Sequence, residues 1–203
     1  MKLYYSPGAC SLSPHIVAQE LGLPLTLVKV DLAAKKTEHG EDFLAINSKG
    51  YVPALVLDDG TVLTEGPAIT QYLADLRPEA GLAPANGTIA RYQLQALLGY
   101  INSELHKSFS PLFNPATTPD VRAEREAYLR KRFAWIDAVL ARQSFLTGGQ
   151  FSIADAYLFV VTNWAKPVKL DLAEFKNLAA FQARVSARPA VLAALRGERL
   201  VDA

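Results

Sequence analysis

Lys2-Leu3-Tyr4-Tyr5-Ser6-Pro7-Gly8-Ala9-Cys10-Ser11 opens the chain, and its reading decides the fold. Lys2 to Tyr5 is a short apolar strand, Ser6 to Ala9 is a turn, and a helix runs from Ser11 to Leu21. Cys10 therefore stands at a strand–turn–helix junction. There it faces unpaired backbone N–H groups and the positive end of a helix dipole, which both favour the thiolate, the reactive form. It is the one cysteine in 203 residues. A buried structural cysteine is the plain alternative, since free cysteine is among the most buried residue types. The strand–turn–helix context points instead to a reactive or ligand-facing thiol.

Working outward, Gly22-Leu23-Pro24 stops the first helix, and Leu25 to Val30 reads as a second strand. A polar loop through Lys35 and Lys36 leads to a short helix, Glu41 to Asn47. Ala54 to Leu57 is a third strand, Asp58-Asp59-Gly60 a turn, and Val62 to Thr64 a fourth strand antiparallel to the third. Glu65 to Leu76 is a helix with Ile69, Tyr72, Leu73 and Leu76 on its apolar face. A crossover helix makes strands one and two parallel, and the hairpin extends the sheet. This βαβαββα order is the layout of a thioredoxin-like domain without its usual second cysteine.

Strand signals then mostly vanish. Arg77 to Gly87, rich in proline, glycine and alanine, reads as a linker. Long helices are expected at Thr88 to Phe109 and Val121 to Arg142, separated by a proline-punctuated loop, Ser110 to Pro119. Ser152 to Lys166 is apolar nearly all round and reads as a buried central helix. Shorter helices follow near Asn177 to Ala187 and Ala190 to Glu198. The expected class is α+β: a thioredoxin-like domain over 1–80, a linker over 81–87 and an all-helical domain over 88–203.

Composition narrows the function classes. Half of the residues are hydrophobic, enough for a core without disulfides. Formal net charge is +1, from 21 basic and 20 acidic residues, which leaves no basic excess to hold nucleic acid or an anionic membrane. One cysteine precludes an intramolecular disulfide and fits a reducing compartment. The N-terminus lacks a signal-peptide profile, and no apolar run reaches ~18 residues, so a cytoplasmic location is expected. One cysteine and three scattered histidines, His15, His39 and His106, give no metal-ligand spacing. Neither a glycine-rich phosphate loop after a strand nor a G-x-S-x-G elbow occurs.

Four further stretches bear on chemistry. Val52-Pro53 precedes the third strand; a cis bond there would turn the Val52 backbone toward Cys10, where an extended peptide could pair with it as an added strand. An ordinary trans proline opening a strand is the alternative. Glu65-Gly66-Pro67-Ala68-Ile69 opens a helix, with a carboxylate at its positive end and uncovered N–H groups able to bind a ligand carboxylate; capping alone also explains Glu65. Gly99, Ser103 and His106 fall on one stripe of the long helix, marking solvent, a subunit contact or a site. If that helix packs beside the first domain, His106 could share the Cys10 proton. Ser152-Ile153-Ala154-Asp155 is a capping box with Asp in place of Glu or Gln, and is read as structural.

Taken together, Ser-Pro-Gly-Ala-Cys10-Ser11, Gly-Tyr-Val52-Pro53-Ala-Leu, Glu65-Gly-Pro-Ala-Ile69, Ser103-Glu104-Leu-His106-Lys107 and Phe-Ser152-Ile-Ala-Asp155-Ala resemble bacterial glutathione transferases of the beta class, over essentially the whole chain. The resemblance implies a homodimer that binds glutathione as cosubstrate, without a further cofactor. It implies that Ala9 and Cys10 lie beside the glutathione sulfur. Lys35 would contact its glycine carboxylate, and Val52, before a cis Pro53, its cysteinyl backbone. Glu65 and Gly66 would hold the γ-glutamyl end. Ser103, Glu104 and His106 would line the site from the helical domain, with Cys10 and His106 as catalytic candidates. Lys107 and Trp164 would wall the pocket for a small hydrophobic electrophile. Two departures stand out: Gly66 replaces the usual Ser or Thr, and Gly99 replaces an Asn that often reaches across the dimer. Each removes a hydrogen bond worth roughly 0.5–1.5 kcal/mol.

Three functions compete at this stage. Conjugation of glutathione to small electrophiles, including halogenated aromatics, leads. A thiol–disulfide oxidoreductase or reductive dehalogenase working through a Cys10 mixed disulfide is second. A non-catalytic scaffold is third, opposed by Cys10, Val52, Glu65 and His106 being present together.

Overall fold

The computed structural model describes residues 1–202; Ala203, the last residue of the expected helical domain, lies outside the described residues. The chain divides into two compact units. The first begins with β1 (Lys2–Tyr5), α1 (Leu12–Glu20), β2 (Thr26–Asp31), β3 (Lys36–Thr37), α2 (Phe43–Ile46), β4 (Ala54–Val56), β5 (Val62–Thr64) and α3 (Gly66–Asp75). Its sheet runs β3-β2-β1-β4-β5. β1 and β2 are parallel, with Lys2 opposite Thr26, whereas β4 is antiparallel to β1 and β5 to β4. The two-residue β3 is an addition to the expected order; it pairs Val30 with Thr37. A strand that short carries no alternation, so the sequence presents it as a polar loop.

Register explains the core. Tyr4 stands between Val28 and Ala54, and these three join Val30, Phe43 and Val52 in one buried cluster. The rings of Tyr4 and Phe43 meet at 5.8 Å. Phe43 thus anchors the short α2, whose start is capped by Asp42 accepting the Leu44 N–H at 3.0 Å. The β4–β5 turn is the expected one. Gly60 takes φ +85° and donates to the Leu57 carbonyl at 3.0 Å.

The second unit starts at Leu82 and ends at Ser186. It holds α4 (Ile89–Tyr100), a π-helical segment (Ile101–His106), α5 (Lys107–Phe113), α6 (Pro119–Leu140), α7 (Ile153–Asn163) and α8 (Lys176–Ser186). α7 is the central helix, buried from Ile153 to Thr162. Its capping box forms. Asp155 Oδ2 accepts the Ser152 N–H at 2.8 Å and the Ser152 hydroxyl at 2.7 Å, while Oδ1 accepts the Leu146 N–H at 2.7 Å. Desolvation of this fully buried carboxyl raises its pKa to about 6 against the three hydrogen bonds that lower it.

Besides small shifts, such as α7 ending at Asn163 rather than Lys166 and α6 starting at Pro119 rather than Val121, two boundaries differ from the sequence reading. The long helix does not stop at Phe109: it runs through Pro111 to Phe113. Buried Phe109 and Leu112 hold this last turn. The Pro111 carbonyl closes it by accepting from the Asn114 N–H at 3.2 Å and the Thr117 hydroxyl at 2.6 Å. The second difference concerns α9 (Pro189–Gly197), expected in the helical domain. The segment from Ala187 onward belongs to the first unit, where α9 packs on α1. Arg188 grips Glu20 through two hydrogen bonds, 2.6 and 2.8 Å long. Buried Glu198 meets His15 Nδ1 at 3.1 Å and accepts the Gly8 N–H at 2.9 Å. A helical pattern states that a helix forms; which unit receives its apolar face is a matter of distant partners.

Candidate active site

Register also assembles the first group of predicted residues. Tyr4 is opposite Ala54, and Ala54 is opposite Thr64. The stretch after β1, the stretch before β4 and the stretch after β5 therefore emerge at the same end of the sheet. These stretches carry Ala9 and Cys10, Val52 and Pro53, and Glu65 and Gly66.

Ala9 is tied down by its N–H to the Ser6 carbonyl at 3.0 Å, and it packs against the cluster that contains Val52. Ser11 accepts the Ser6 N–H at 3.2 Å, so the turn is cross-braced just beyond Cys10. Cys10 is half-buried, two residues ahead of the first helical residue. Its Sγ donates to the Val52 carbonyl at 3.3 Å. A thiol in that role is protonated, so this contact opposes the pull of the helix start toward thiolate. The Val52–Pro53 bond is cis. The Val52 N–H has no acceptor among the described residues.

Glu65 takes φ +69°, an uncommon conformation for a non-glycine residue, immediately before α3. Its Oε1 accepts from Lys49 Nζ at 2.7 Å and from the Tyr51 hydroxyl at 2.8 Å. Lys49 also reaches the Thr64 hydroxyl at 3.0 Å. The hydrogen bond to Glu65 is the main cause that raises the pKa of both Lys49 and Tyr51. Gly66 follows as the first residue of α3, and a Cβ there would meet only Pro53 Cγ, at 3.9 Å. Lys35 belongs to the same surroundings: its Nζ donates to the Gly50 carbonyl at 2.7 Å. Lys49 went unread in the sequence, and Tyr51, quoted only as part of the Val52 motif, was given no role, because their partner is some fifteen residues away.

The second group lies in the helical unit, on and around the π-helical segment. A π turn bonds i to i+5 and re-registers the faces of a helix. The expected stripe is thereby broken. Ser103 is exposed and donates to the Gly99 carbonyl at 3.0 Å, whereas His106 is half-buried and turned to α7. His106 Nδ1 meets the Tyr157 hydroxyl at 2.5 Å, and that hydroxyl donates to Asn102 Oδ1 at 3.0 Å. The His106 ring stands edge-on to Trp164, centroids 4.7 Å apart. Phe109 and Phe113 meet the same indole at 5.8 and 6.0 Å. His106 and Trp164 are therefore brought together, with exposed Lys107 next in sequence at the start of α5.

Glu104 has a different environment. Tyr128 donates to it, and Arg132 pairs with it at 2.8 Å. The Tyr128 hydrogen bond, more than Arg132, holds its carboxyl below the ordinary range. Arg132 also stacks over the Tyr128 ring, 4.4 Å from its centroid. The i, i+4 spacing of Tyr128 and Arg132 was a legible signal; so was Tyr157, since a buried phenol requires a hydrogen-bond partner. Among the described residues no cluster of His, Cys, Asp and Glu is arranged to hold a metal ion. Among the described residues no helix is long and apolar enough to cross a membrane.

Residues 8–76 match the model of the glutathione S-transferase N-terminal domain, and residues 100–189 that of the glutathione S-transferase C-terminal domain. The chain belongs to the glutathione S-transferase family. This transferase is 48% identical over 200 residues to glutathione S-transferase GstA of Escherichia coli O157:H7, an alignment covering 98% of the chain and all of that relative. Among solved structures, a ternary complex of BphK, a bacterial glutathione transferase, superposes with a TM-score of 0.97 at 55% identity, covering 98% of this chain and 100% of that one. A sphingomonad glutathione S-transferase complexed with glutathione superposes with a TM-score of 0.95 at 48% identity, covering 99% and 100%.

Proposed function

We propose that the transferase conjugates glutathione to small hydrophobic electrophiles, halogenated aromatics among them. The observation that carries this reading is the convergence of Cys10, Val52 and Glu65–Gly66 at one end of the sheet. An extended tripeptide can use each part of that end. The unpartnered Val52 N–H takes its cysteinyl carbonyl. The Gly66 N–H at the start of α3 takes the γ-glutamyl carboxylate, and Glu65 the adjoining ammonium. Lys35 Nζ, with three donors of which Gly50 uses one, reaches the glycine carboxylate. Ala9 and Cys10 lie beside the sulfur.

Within the helical unit, Ser103, Glu104 and His106 are the candidates for the glutathione-facing side, with His106 the candidate acid–base group. The glutathione S–H gives its proton to solvent water, and Cys10 turns from Val52 to donate to the resulting thiolate. The thiolate forms a C–S bond at the electrophilic carbon, the carbon–halogen bond breaks, and halide departs with the electron pair. Rate comes from holding a stabilised thiolate next to the electrophile. Lys107 and Trp164, with the aromatic rings around that indole, favour flat apolar substrates. Glutathione is a cosubstrate and no other cofactor takes part. Two copies form a homodimer that includes the exposed Ile89 and Tyr92 of α4, in the reducing cytoplasm where glutathione is plentiful.

Calorimetric titration with millimolar glutathione, followed by a spectrophotometric assay with 1-chloro-2,4-dinitrobenzene, tests the reading. Saturable binding with catalysed chloride release is expected; no binding at millimolar glutathione refutes it.

A further inference from the structure

The turn that presents Cys10 is held from the far end of the chain. Ser6-Pro7-Gly8-Ala9 closes through the Ala9 N–H to the Ser6 carbonyl, at 3.0 Å, with Gly8 at φ +71°. Proline second and a left-handed glycine third are the signature of a type II turn, and types I and II differ in the direction of the central peptide, here Pro7–Gly8. The N–H of that peptide, on Gly8, is accepted by Glu198 Oε2 at 2.9 Å. The other oxygen, Oε1, meets His15 Nδ1 at 3.1 Å. The side chains of His15 and Glu198 are 2% and 0% exposed. Both contacts therefore lie out of water, where a hydrogen bond is stronger and a missing one is costly.

Two further contacts fix the same place. α9 ends in a turn in which Arg199 takes φ +58° and the Leu200 N–H donates back to the Leu195 carbonyl at 2.9 Å. With that closure Leu200 lies against the turn: a Cβ on Gly8 would meet its Cδ2 at 3.6 Å. A Cβ on Gly197 would meet His15 Cε1 at 3.0 Å, so the glycine lets the imidazole lie close to the helix end. All of these residues belong to the first unit, as does Val52. From this turn Cys10 Sγ reaches the Val52 carbonyl, 3.3 Å away. We propose that Glu198, oriented by His15, is a positioning residue. It fixes the Pro7–Gly8 peptide, and thereby the place from which Cys10 donates to the Val52 carbonyl and, once glutathione is bound, to its thiolate. The second half of this rests on the reading of Cys10 as that donor; the first half does not.

Alkylation by iodoacetamide under native conditions, followed by intact mass, reads the placement of Cys10 in the free full-length protein, with Cys10→Ala as the blank. The chain has no other thiol. Glu198→Ala removes the acceptor of the Gly8 N–H, so the turn no longer holds Sγ against Val52, and the reaction should speed up about 2- to 12-fold. That rate should stay flat in urea well below the unfolding transition, because the opening is local. A rate that climbs steeply with urea marks exposure by global unfolding; that result, like an unchanged rate, overturns the proposal. Glu198→Gln keeps an oxygen for the Gly8 N–H and should restore the parent rate; a Gln variant as fast as the Ala one overturns it too. Where Glu198→Ala folds poorly, Leu200→Ala, at an exposed side chain, should also speed alkylation, and an unchanged rate refutes the bracing of the turn. With glutathione bound, ultraviolet thiolate absorbance, less that of the free protein, gives the ligand's thiolate-to-thiol ratio. Glu198→Ala should lower that ratio about 2- to 12-fold, yet leave it unchanged in a Cys10→Ala background, since the effect passes through the Cys10 hydrogen bond. The same drop in both backgrounds overturns the positioning role. A parent that binds no glutathione sinks the proposed function, and the alkylation rates still decide what holds Cys10.

Discussion

Replacing Gly66 by serine should tighten glutathione binding. A side chain at this position meets only Pro53 Cγ, at 3.9 Å, an ordinary van der Waals distance. Gly66 is the first residue of α3 and is absent from the left-handed positions of the backbone, so serine adopts its conformation without strain. Two consequences can be separated. Removing a glycine from a compatible site stabilises the fold by about 0.4–1 kcal/mol through the unfolded chain, which raises the melting midpoint by roughly 1–4 °C. Gly66→Ala shares that gain. Serine alone adds a hydroxyl beside the N–H groups that would receive the γ-glutamyl carboxylate. One such hydrogen bond contributes about 0.5–1.5 kcal/mol, so Kd for glutathione should drop about 2- to 12-fold. Calorimetry on the parent, Gly66→Ala and Gly66→Ser, under reducing conditions, measures this directly. Equal Kd values for all three proteins would mean that the hydroxyl does not meet the ligand, and the placement of the γ-glutamyl end at Glu65–Gly66 would be wrong.

Other perturbations probe other parts of the molecule. Asp155→Ala strands three donors, the Leu146 N–H, the Ser152 N–H and the Ser152 hydroxyl, and should cost about 2–4 kcal/mol in urea unfolding; a variant that folds like the parent but is inactive would contradict a structural role. The raised pKa of Asp155, to about 6 from 3.8, also has a signed consequence. Between those values the native state binds more proton than the unfolded state, so stability from this group is present at low pH and is lost as pH rises toward 6, on the order of 3 kcal/mol at most. Relative to Asp155→Asn, the parent should therefore lose stability from pH 4 to pH 6 in matched urea titrations; a constant difference would refute the assignment. Tyr51→Phe and Lys49→Met each remove a donor from Glu65 Oε1. Both should raise Kd for glutathione about 2- to 5-fold with little change in melting midpoint, because the Lys49–Glu65 pair is half exposed; unchanged affinity in both would show that Glu65 needs no support.

Much of the fold and part of the site could be read along the chain because those signals are local. Four strands, the hairpin turn at Gly60 and the central α7 follow from alternation, turn chemistry and all-round apolarity over a few residues. The Ser152–Asp155 box is three residues long and formed as read. Cys10, Val52 and Glu65 were recognisable because each sits at the end of a legible element. β3 was missed since two residues have no period, and the end of α5 was misplaced since Pro111 normally stops a helix but here lies one turn from its end, between buried Phe109 and Leu112.

By itself, then, the sequence determined the element types, the strand–turn–helix position of Cys10 and the residue types that surround it. Tertiary structure alone decided the partners. His106 meets Tyr157 across 51 positions, Glu104 meets Tyr128 across 24, and Glu198 reaches Gly8 across 190. The π turn that redirects His106 toward α7, and the return of α9 to the first unit, are of the same kind. Periodicity records which face of an element is apolar. Which distant surface buries that face, and which polar groups must then satisfy one another out of water, is settled only when the whole chain packs.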